Sequence, residues 1–349
     1  MRSILFKRTI LLVIGLLIAV NWAVPASGGD SQSAEDAYST LLVLTASISS
    51  QAGYGPIIYA WGFNPPVAGQ QYEASAIRFN SSDLRVWTCG AWNGGDAIFV
   101  TMFNTDQPSG MVNAPNIKGL VYAQDKSDCS PSVLYNATDN KFRMYYECSP
   151  TLYQPNICFA TSADGISWSL QKTILWNPHP ANGGYGFGHP SAVLNADQST
   201  TLLYVYDSTY YSNQCPGAHG IVWLLVLLPD GQTIWKQTPT NLPFAAKVKY
   251  YPAWRKYVAT SAWTGSCTYP DGHWFGVFTS DDGITFTRAG QLLVPQVRNE
   301  QFGWDPGQLI ADGQGWIQTP NTNLQALIGA GPDQFNAQTY MVDFGLNPH

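Results

Sequence analysis

Beyond its first seventy residues the chain runs in short stretches in which apolar and polar positions alternate, broken by turn residues. "SPSVLYNATDNKFRMYYE" (Ser130–Glu147) is the clearest case, two alternating runs around a turn near Thr138-Asp139. That period of two is the signature of antiparallel β-strands. The first run is echoed by "SAIRFN" at Ser75–Asn80 and "PSAVLN" at Pro190–Asn195, and more weakly by "YPAW" at Tyr251–Trp254 and "DPGQLI" at Asp305–Ile310. A second strand follows each: "LRVWTCG", "FRMYYEC", "LLYVYDS", "KYVATSAW" and "GWIQTPN". Third strands are "DAIFVTMFNTD", "NICFATSADG", "IVWLLVLLPDG" and "HWFGVFTSDDG", with "ALIGAGPDQ" as a degenerate fifth. Two of them lead into nearly identical turns, "TSADGISW" at Thr161–Trp168 and "TSDDGITF" at Thr279–Phe286, where Asp-Gly supplies the reversal into a short fourth strand.

Four strands per unit, five units and no amphipathic helix predict an all-β fold, a five-bladed β-propeller of four-stranded blades. A sandwich of regular hairpins is the rival architecture. The propeller is preferred because the whole four-strand unit recurs. "LLVLT" at Leu41–Thr45 is the expected ring-closing strand, within an N-terminal segment at residues 27–50. Residues 51–349 then form the single propeller domain.

The N-terminus reads as an export signal. Arg2, Lys7 and Arg8 precede an apolar run from Ile10 to Val20, and Val24-Pro25-Ala26 offers a small-residue cleavage site, which assigns residues 1–26 to a signal peptide. The expected protein is secreted or periplasmic, with no membrane span after signal cleavage. Removing those three basic residues takes the formal charge from −6 to about −9. An acidic surface argues against nucleic acid, whose phosphates need Lys and Arg. Six cysteines suit an oxidising compartment. Cys129 and Cys148 flank one hairpin and are expected to bond across it. Cys215 with Cys267 is the second expected pair, leaving Cys89 and Cys158 as a third bridge or as buried thiols.

"SPSVLYNATDNKFRMYYE" followed by "ICFATSADGISWS" resembles the paired signature of the five-bladed glycosidase superfamily, which includes the family 43 and family 32 glycoside hydrolases. The Asp-Gly turn also resembles the sialidase Asp-box, with one residue fewer between Ser and Gly. The superfamily resemblance implies a central funnel with three carboxylates: a base or nucleophile, a pKa modulator and an acid. On this chain it implies Glu73 as the acid, because Glu73 precedes the Pro slot of blade one by two residues. Asp305, in "GWDPG", becomes the base or nucleophile, and Asp128, in "SDCSP", the modulator. The blade order of these carboxylates departs from the family's.

His189, in "GFGHPS", stands where the family often carries an acidic residue, as a substrate ligand or as a ligand of a central metal ion. No other cofactor is expected. Glu147 ends a second strand and is read as a wall residue that contacts substrate, with Asp207 in the equivalent place of blade three. Trp304 and Tyr185 are candidates for stacking on a sugar face. Carbohydrate is therefore the expected partner, and two readings stay open. One is a secreted glycoside hydrolase acting on poly- or oligosaccharide. The other is a carbohydrate-binding or assembly propeller that kept the fold and lost the triad. A lyase using His189 and a tyrosine is a third.

Overall fold

The computed structural model describes residues 57–61, 71–103, 116–122, 125–151, 154–169, 172–177, 186–195, 199–208, 220–243, 245–261, 274–293, 302–318, 323–331 and 338–345. All lie in one compact unit, Ser49–His349, and they are strands and turns. No helix among them is long and apolar enough to cross a membrane.

Strand β1 (Ile57–Trp61) comes first. Next is an antiparallel meander of β2 (Gln71–Asn80), β3 (Asp83–Trp92), β4 (Gly95–Phe103) and β5 (Asn116–Tyr122). The second meander is β6 (Ser127–Asn136), β7 (Lys141–Ser149), β8 (Asn156–Ser162) and β9 (Lys172–Leu175). The third is β10 (Phe187–Leu194), β11 (Thr201–Asp207), β12 (Ile221–Leu227) and β13 (Ile234–Pro239). The fourth is β14 (Lys247–Tyr251), β15 (Lys256–Ser261), β16 (Trp274–Ser280) and β17 (Thr287–Leu293). The last is β18 (Phe302–Leu309), β19 (Asn323–Gly331) and β20 (Gln338–Gly345), to which β1 adds an antiparallel edge. β1 also pairs in parallel with β17. The edge expected from Leu41–Thr45 is thus supplied by Ile57–Trp61; Leu41–Thr45 lies outside the described residues.

Each meander buries apolar side chains against the next. Ile77, Trp87 and Ile98 pack with Val133, Phe142 and Met144, and Leu134, Tyr145 and Ile157 pack with Leu203, Val205 and Leu225. Tyr204, Val222 and Leu224 pack with Val248 and Phe278, and Val258, Phe275 and Val277 with Leu309, Leu324 and Val342. A last cluster of Ala74, Ala76, Leu84, Val86, Ile310, Leu327 and Met341 joins β18–β20 back to β2 and β3. First strands lie between two such layers. β6 is therefore buried at nearly every position, whereas the outer strand β13 is mostly exposed.

The same polar clasps recur between meanders. On the first strands, Ser75 Oγ accepts from Val133 N (2.9 Å), Ser132 Oγ from Ala192 N (2.8 Å) and Ser191 Oγ from Val248 N (2.8 Å). Lys247 fills the corresponding slot of β14. Farther out, Trp87 Nε1 donates to Gly165 O, Tyr145 OH to Gly231 O and Tyr204 OH to Gly283 O, each at 2.9 Å. Those glycines are the turns of "ADG", "PDG" and "DDG". They need a left-handed φ (77°, 71° and 72°), and a Cβ on Gly283 would come within 2.8 Å of the Tyr204 hydroxyl. The turn is therefore written repeatedly because each copy receives the neighbouring meander's aromatic donor.

One segment ties the far ends of the first strands together. Arg78 N donates to Ala311 O, Tyr135 N to Gly313 O, Leu194 N to Gln314 O and Tyr250 N to Gly315 O, at 2.6–3.1 Å. Asp312 Oδ1 holds this segment by accepting from Gln314 N and Trp316 N. Residues 315–318, the described part of "GWIQTPN", accordingly continue this crossing segment and are not the second strand expected there; β19 takes that place. "YPAW" similarly falls at the end of β14 and in its turn, so the fourth first strand begins at Lys247.

The cysteine pairing differs from expectation. The bonds are Cys89–Cys129 and Cys148–Cys158. Register explains the correction: Cys129 lies opposite Glu147, and Cys148 opposite Asp128. A one-residue offset turns Cys129 and Cys148 to opposite faces of the sheet. Cys148 and Cys158 are instead diagonal neighbours on one face, since Cys148 pairs with Asn156 and Cys158 with Tyr146. Cys215 and Cys267 lie outside the described residues.

Candidate functional site

The site is built where the first strands bulge. The register slips at Tyr72/Ser75, Cys129/Ser132 and Gly188/Ser191, and inside each slip sits one residue with left-handed backbone. These are Glu73 (φ 49°), Ser130 (φ 50°) and His189 (φ 50°), each two residues before the clasping serine; Ala245 (φ 50°) holds the same position before Lys247. Such φ values are unfavourable for residues with a Cβ, and they persist only where the surroundings enforce them. Glu73 is therefore one residue, not two, before the position that Pro131 and Pro190 occupy.

Around this turn three ionisable groups meet. His189 Nδ1 lies 3.3 Å from Glu73 Oε1 and 3.9 Å from Glu147 Oε1. Glu147 Oε1 also accepts from His189 N (2.6 Å) and from Ser130 Oγ (2.8 Å). The side chains of Glu73, His189 and Glu147 are 15%, 12% and 5% exposed, so the cluster opens to solvent mainly through Glu73 and His189. Burial alone would raise the Glu73 pKa, but the His189 charge and hydrogen bond, together with the Lys247 charge, bring it below the ordinary carboxylate value. Burial would lower His189 in the same way, and Glu73 and Glu147 hold it above the ordinary value. The two carboxylates thus favour the protonated form of His189, and His189 in turn favours the ionised form of Glu73.

Beneath it the interior stays polar. Lys247 is completely buried, and its Nζ makes no hydrogen bond among the described residues. Lys249, two residues on, donates from Nζ to Ala192 O (3.1 Å) and to the Gln308 side-chain oxygen (3.0 Å). The Gln308 amide nitrogen in turn donates to Ala74 O (2.9 Å), linking β18 to β2. Burial and the Lys247 charge pull the Lys249 pKa down to about 7.

Other candidates are placed elsewhere. Asp128 is fully buried beside the Cys89–Cys129 bond, and its Oδ2 accepts from Asp125 N (3.1 Å), a turn-capping contact. Asp207 Oδ2 accepts from Trp223 Nε1 (3.1 Å). Asp207 is also not the equivalent of Glu147. Ser191 pairs with Tyr204 as Ser132 pairs with Tyr145, so the residue matching Glu147 is Tyr206. Trp304 and Asp305 lie on the first strand β18, Asp305 pairing with Gly329 between two register shifts; their side chains, like Tyr185, are outside the described residues. Sequence reasoning placed Glu147 in the wall. The missed signal was its register opposite Cys129, next to the bulged Ser130, which turns its side chain toward His189.

The donor set of two carboxylates and an imidazole, with one ligand atom from each lying within 4.8 Å of the others, suits a divalent cation. In the structure the facing atoms are within reach of a shared proton. Either a proton or a cation can balance the charge of the carboxylates there.

No family model matches the chain, and no curated protein matches it. Solved structures do. The catalytic domain of the Coprinopsis cinerea GH62 α-L-arabinofuranosidase superposes with a TM-score of 0.58 at 15% identity, covering 82% of this chain and 97% of that one. A GH62 hydrolase in complex with xylotriose gives 0.59 at 11% identity, over 81% and 97%. A GH43 enzyme from Xanthomonas citri gives 0.55 at 12% identity, over 80% and 90%. At such identities the likeness speaks for architecture alone: the fold of this chain is that of the GH62 and GH43 propeller glycoside hydrolases.

Proposed function

We propose that the protein is an exported carbohydrate-acting five-bladed propeller that hydrolyses arabino- or xylo-oligosaccharides at the funnel mouth formed by Glu73, Glu147 and His189. The blade count is supported by the three clasps that link the first four first strands in succession and by the apolar cluster that joins the last meander to the first. The observation that carries the function is the meeting of two carboxylates and an imidazole at the bulged ends of those strands, in a fold shared with arabinofuranosidases. Glycoside hydrolysis needs one ionised carboxylate to attack or to activate water, and one acid to protonate the leaving oxygen. His189 and Lys247 keep Glu73 ionised, which suits it to the role of base or nucleophile. Asp305, on the first strand of the fifth blade, is the second carboxylate of the proposal, and Trp304 the stacking aromatic.

A second reading, a binding propeller without turnover, is favoured by the commitments of the carboxylates. Asp128 is fully buried and caps a turn by accepting from Asp125 N, and Glu147 is taken up by Ser130 and the His189 backbone. Reducing-end release and calorimetry with arabino-, xylo- and fructo-oligosaccharides separate the two. For a hydrolase, Glu73→Gln and Asp305→Asn lower turnover by about a thousandfold or more while affinity survives. For a binding protein, the wild type releases no reducing ends and Glu73→Gln weakens affinity. Neither turnover nor binding on any of these sugars ends the carbohydrate proposal.

A further inference from the structure

Three consecutive first strands place a left-handed residue at the same bulge, yet only two of the three are ionisable. Glu73 and His189 bring their own charges; Ser130, between them, brings a hydroxyl. The charge of the second meander comes instead from the neighbouring strand, through Glu147, which lies across from Cys129. Ser130 is fully buried, and its Oγ donates to Glu147 Oε1 at 2.8 Å. The same oxygen accepts the His189 backbone N–H at 2.6 Å. Glu147 Oε1 is thus fixed from two sides, by one donor from β6 and one from β10. A longer side chain at position 130 would point into the space that Glu147 uses.

Covalent bonds flank this arrangement. Cys129 precedes Ser130 and is bonded to Cys89 on the preceding meander. Cys148 follows Glu147 and is bonded to Cys158 on the next strand. Cys89 stands at the position of the first meander that corresponds to Glu147, because Ser75 pairs with Trp87 as Ser132 pairs with Tyr145. All four sulfur-bearing residues are buried. Bonds so placed limit how far the bulge can relax, and the bulge is where backbone strain would otherwise be released.

We propose that Ser130, held at its bulge by the Cys89–Cys129 bond, is the positioning residue for Glu147, and through Glu147 for His189. Its effect on sugar handling rests on the carbohydrate-acting reading above; its effect on the geometry of the cluster does not. Two substitutions separate site from fold. Ser130→Ala removes the hydroxyl and keeps a Cβ in left-handed backbone. Ser130→Gly removes the hydroxyl and relaxes that backbone, which offsets part of the cost of the lost hydrogen bond, so Ser130→Gly melts higher than Ser130→Ala.

The substrate-free readout is the His189 amide proton, observed in deuterated full-length protein by TROSY spectroscopy. A short hydrogen bond to a carboxylate holds that resonance far downfield. In both Ser130 variants it moves upfield, and its hydrogen exchange accelerates about tenfold. The Cys89→Ser/Cys129→Ser double variant gives the same displacement. Ser162→Ala, in a turn remote from the cluster, leaves the resonance in place. On the sugars that the wild type recognises, both Ser130 variants lose about tenfold in affinity or in kcat/KM. An unmoved His189 resonance in Ser130→Gly overturns the proposal, whatever the activity. A moved resonance in a protein that handles no sugar keeps the positioning role and removes the carbohydrate reading.

Discussion

At one end of the first strands Arg78, Tyr135, Leu194 and Tyr250 have no side-chain chemistry in common, yet all four donate a backbone N–H to the single segment Ala311–Gly315. At the other end Glu73, Ser130, His189 and Ala245 share one left-handed backbone conformation, and there the side chain decides what happens. Backbone hydrogen bonds close the first end, so almost any side chain is tolerated and the chemistry is inert. Strained bulges aim side chains at each other on the second end, so identity matters and the backbone carries the cost. The same strands thus separate stability from chemistry along their own length, with Lys249 and Gln308 between the two ends.

The hardest blow to that division falls on the crossing segment. Gly315 has φ 78°, and a Cβ there would lie 3.2 Å from Ala192 O and from two atoms of Val193. Gly315→Val should cost about 3 kcal/mol, from left-handed strain on a β-branched residue plus overpacking. Thermal melting should show Tm lower by about 5 °C or more, with the His189 amide resonance unchanged. Equal damage at both ends would show that they are not separable.

A smaller effect sharpens what lies between. Unfolded Lys249 keeps its proton to about 10.5, whereas the folded group loses it at about 7. Between those values the unfolded chain binds more protons, so this residue makes stability rise with pH across that window. The limiting slope is about 1.4 kcal/mol per pH unit. Urea melts at several pH values should therefore show a shallower rise for Lys249→Met than for the wild type. Parallel profiles would mean that Lys249 keeps its proton in the folded protein.

The smallest effect belongs to the clasps outside both ends. Tyr145 OH donates to Gly231 O, and burial pushes its pKa up to about 12. Tyr145→Phe removes one buried hydrogen bond and should cost about 1 kcal/mol in chemical denaturation. Sugar binding and the His189 resonance should be untouched.

Much of the architecture was legible because its determinants are local. Alternation marks strands, and Asp-Gly marks a left-handed turn wherever it stands, so the first three meanders and the third strands of the first four were found from residues a few positions apart. "ALIGAGPDQ", expected as a third strand, instead falls on the second strand β19. The errors fell where a long-range contact replaced a local rule. "GWIQTPN" looks like a strand, but Gly315 O accepts from Tyr250 N and Ile317 N donates to Tyr250 O, so it is held by a first strand far away in sequence. Cys129 and Cys148 flank a hairpin, but the bulge at Cys129/Ser132 and a one-residue register offset turn them apart. Of the candidate site, Glu73 and His189 stood out as ionisable residues at strand starts. Glu147 was visible too, but its direction depends on that same register.

By itself, then, the sequence determined the all-β class, the recurring four-strand unit, and which residue types crowd the strand starts, because periodicity and turn chemistry act over a few bonds. Only the tertiary structure decided that Glu73, Glu147 and His189 form one cluster, while Asp128 and Asp207 are hydrogen-bonded in their own surroundings. It also chose the partners of Cys89 and Cys158. The physical reason is that facing side chains on neighbouring sheets are set by register and bulges, and a shift of one residue exchanges one face for the other.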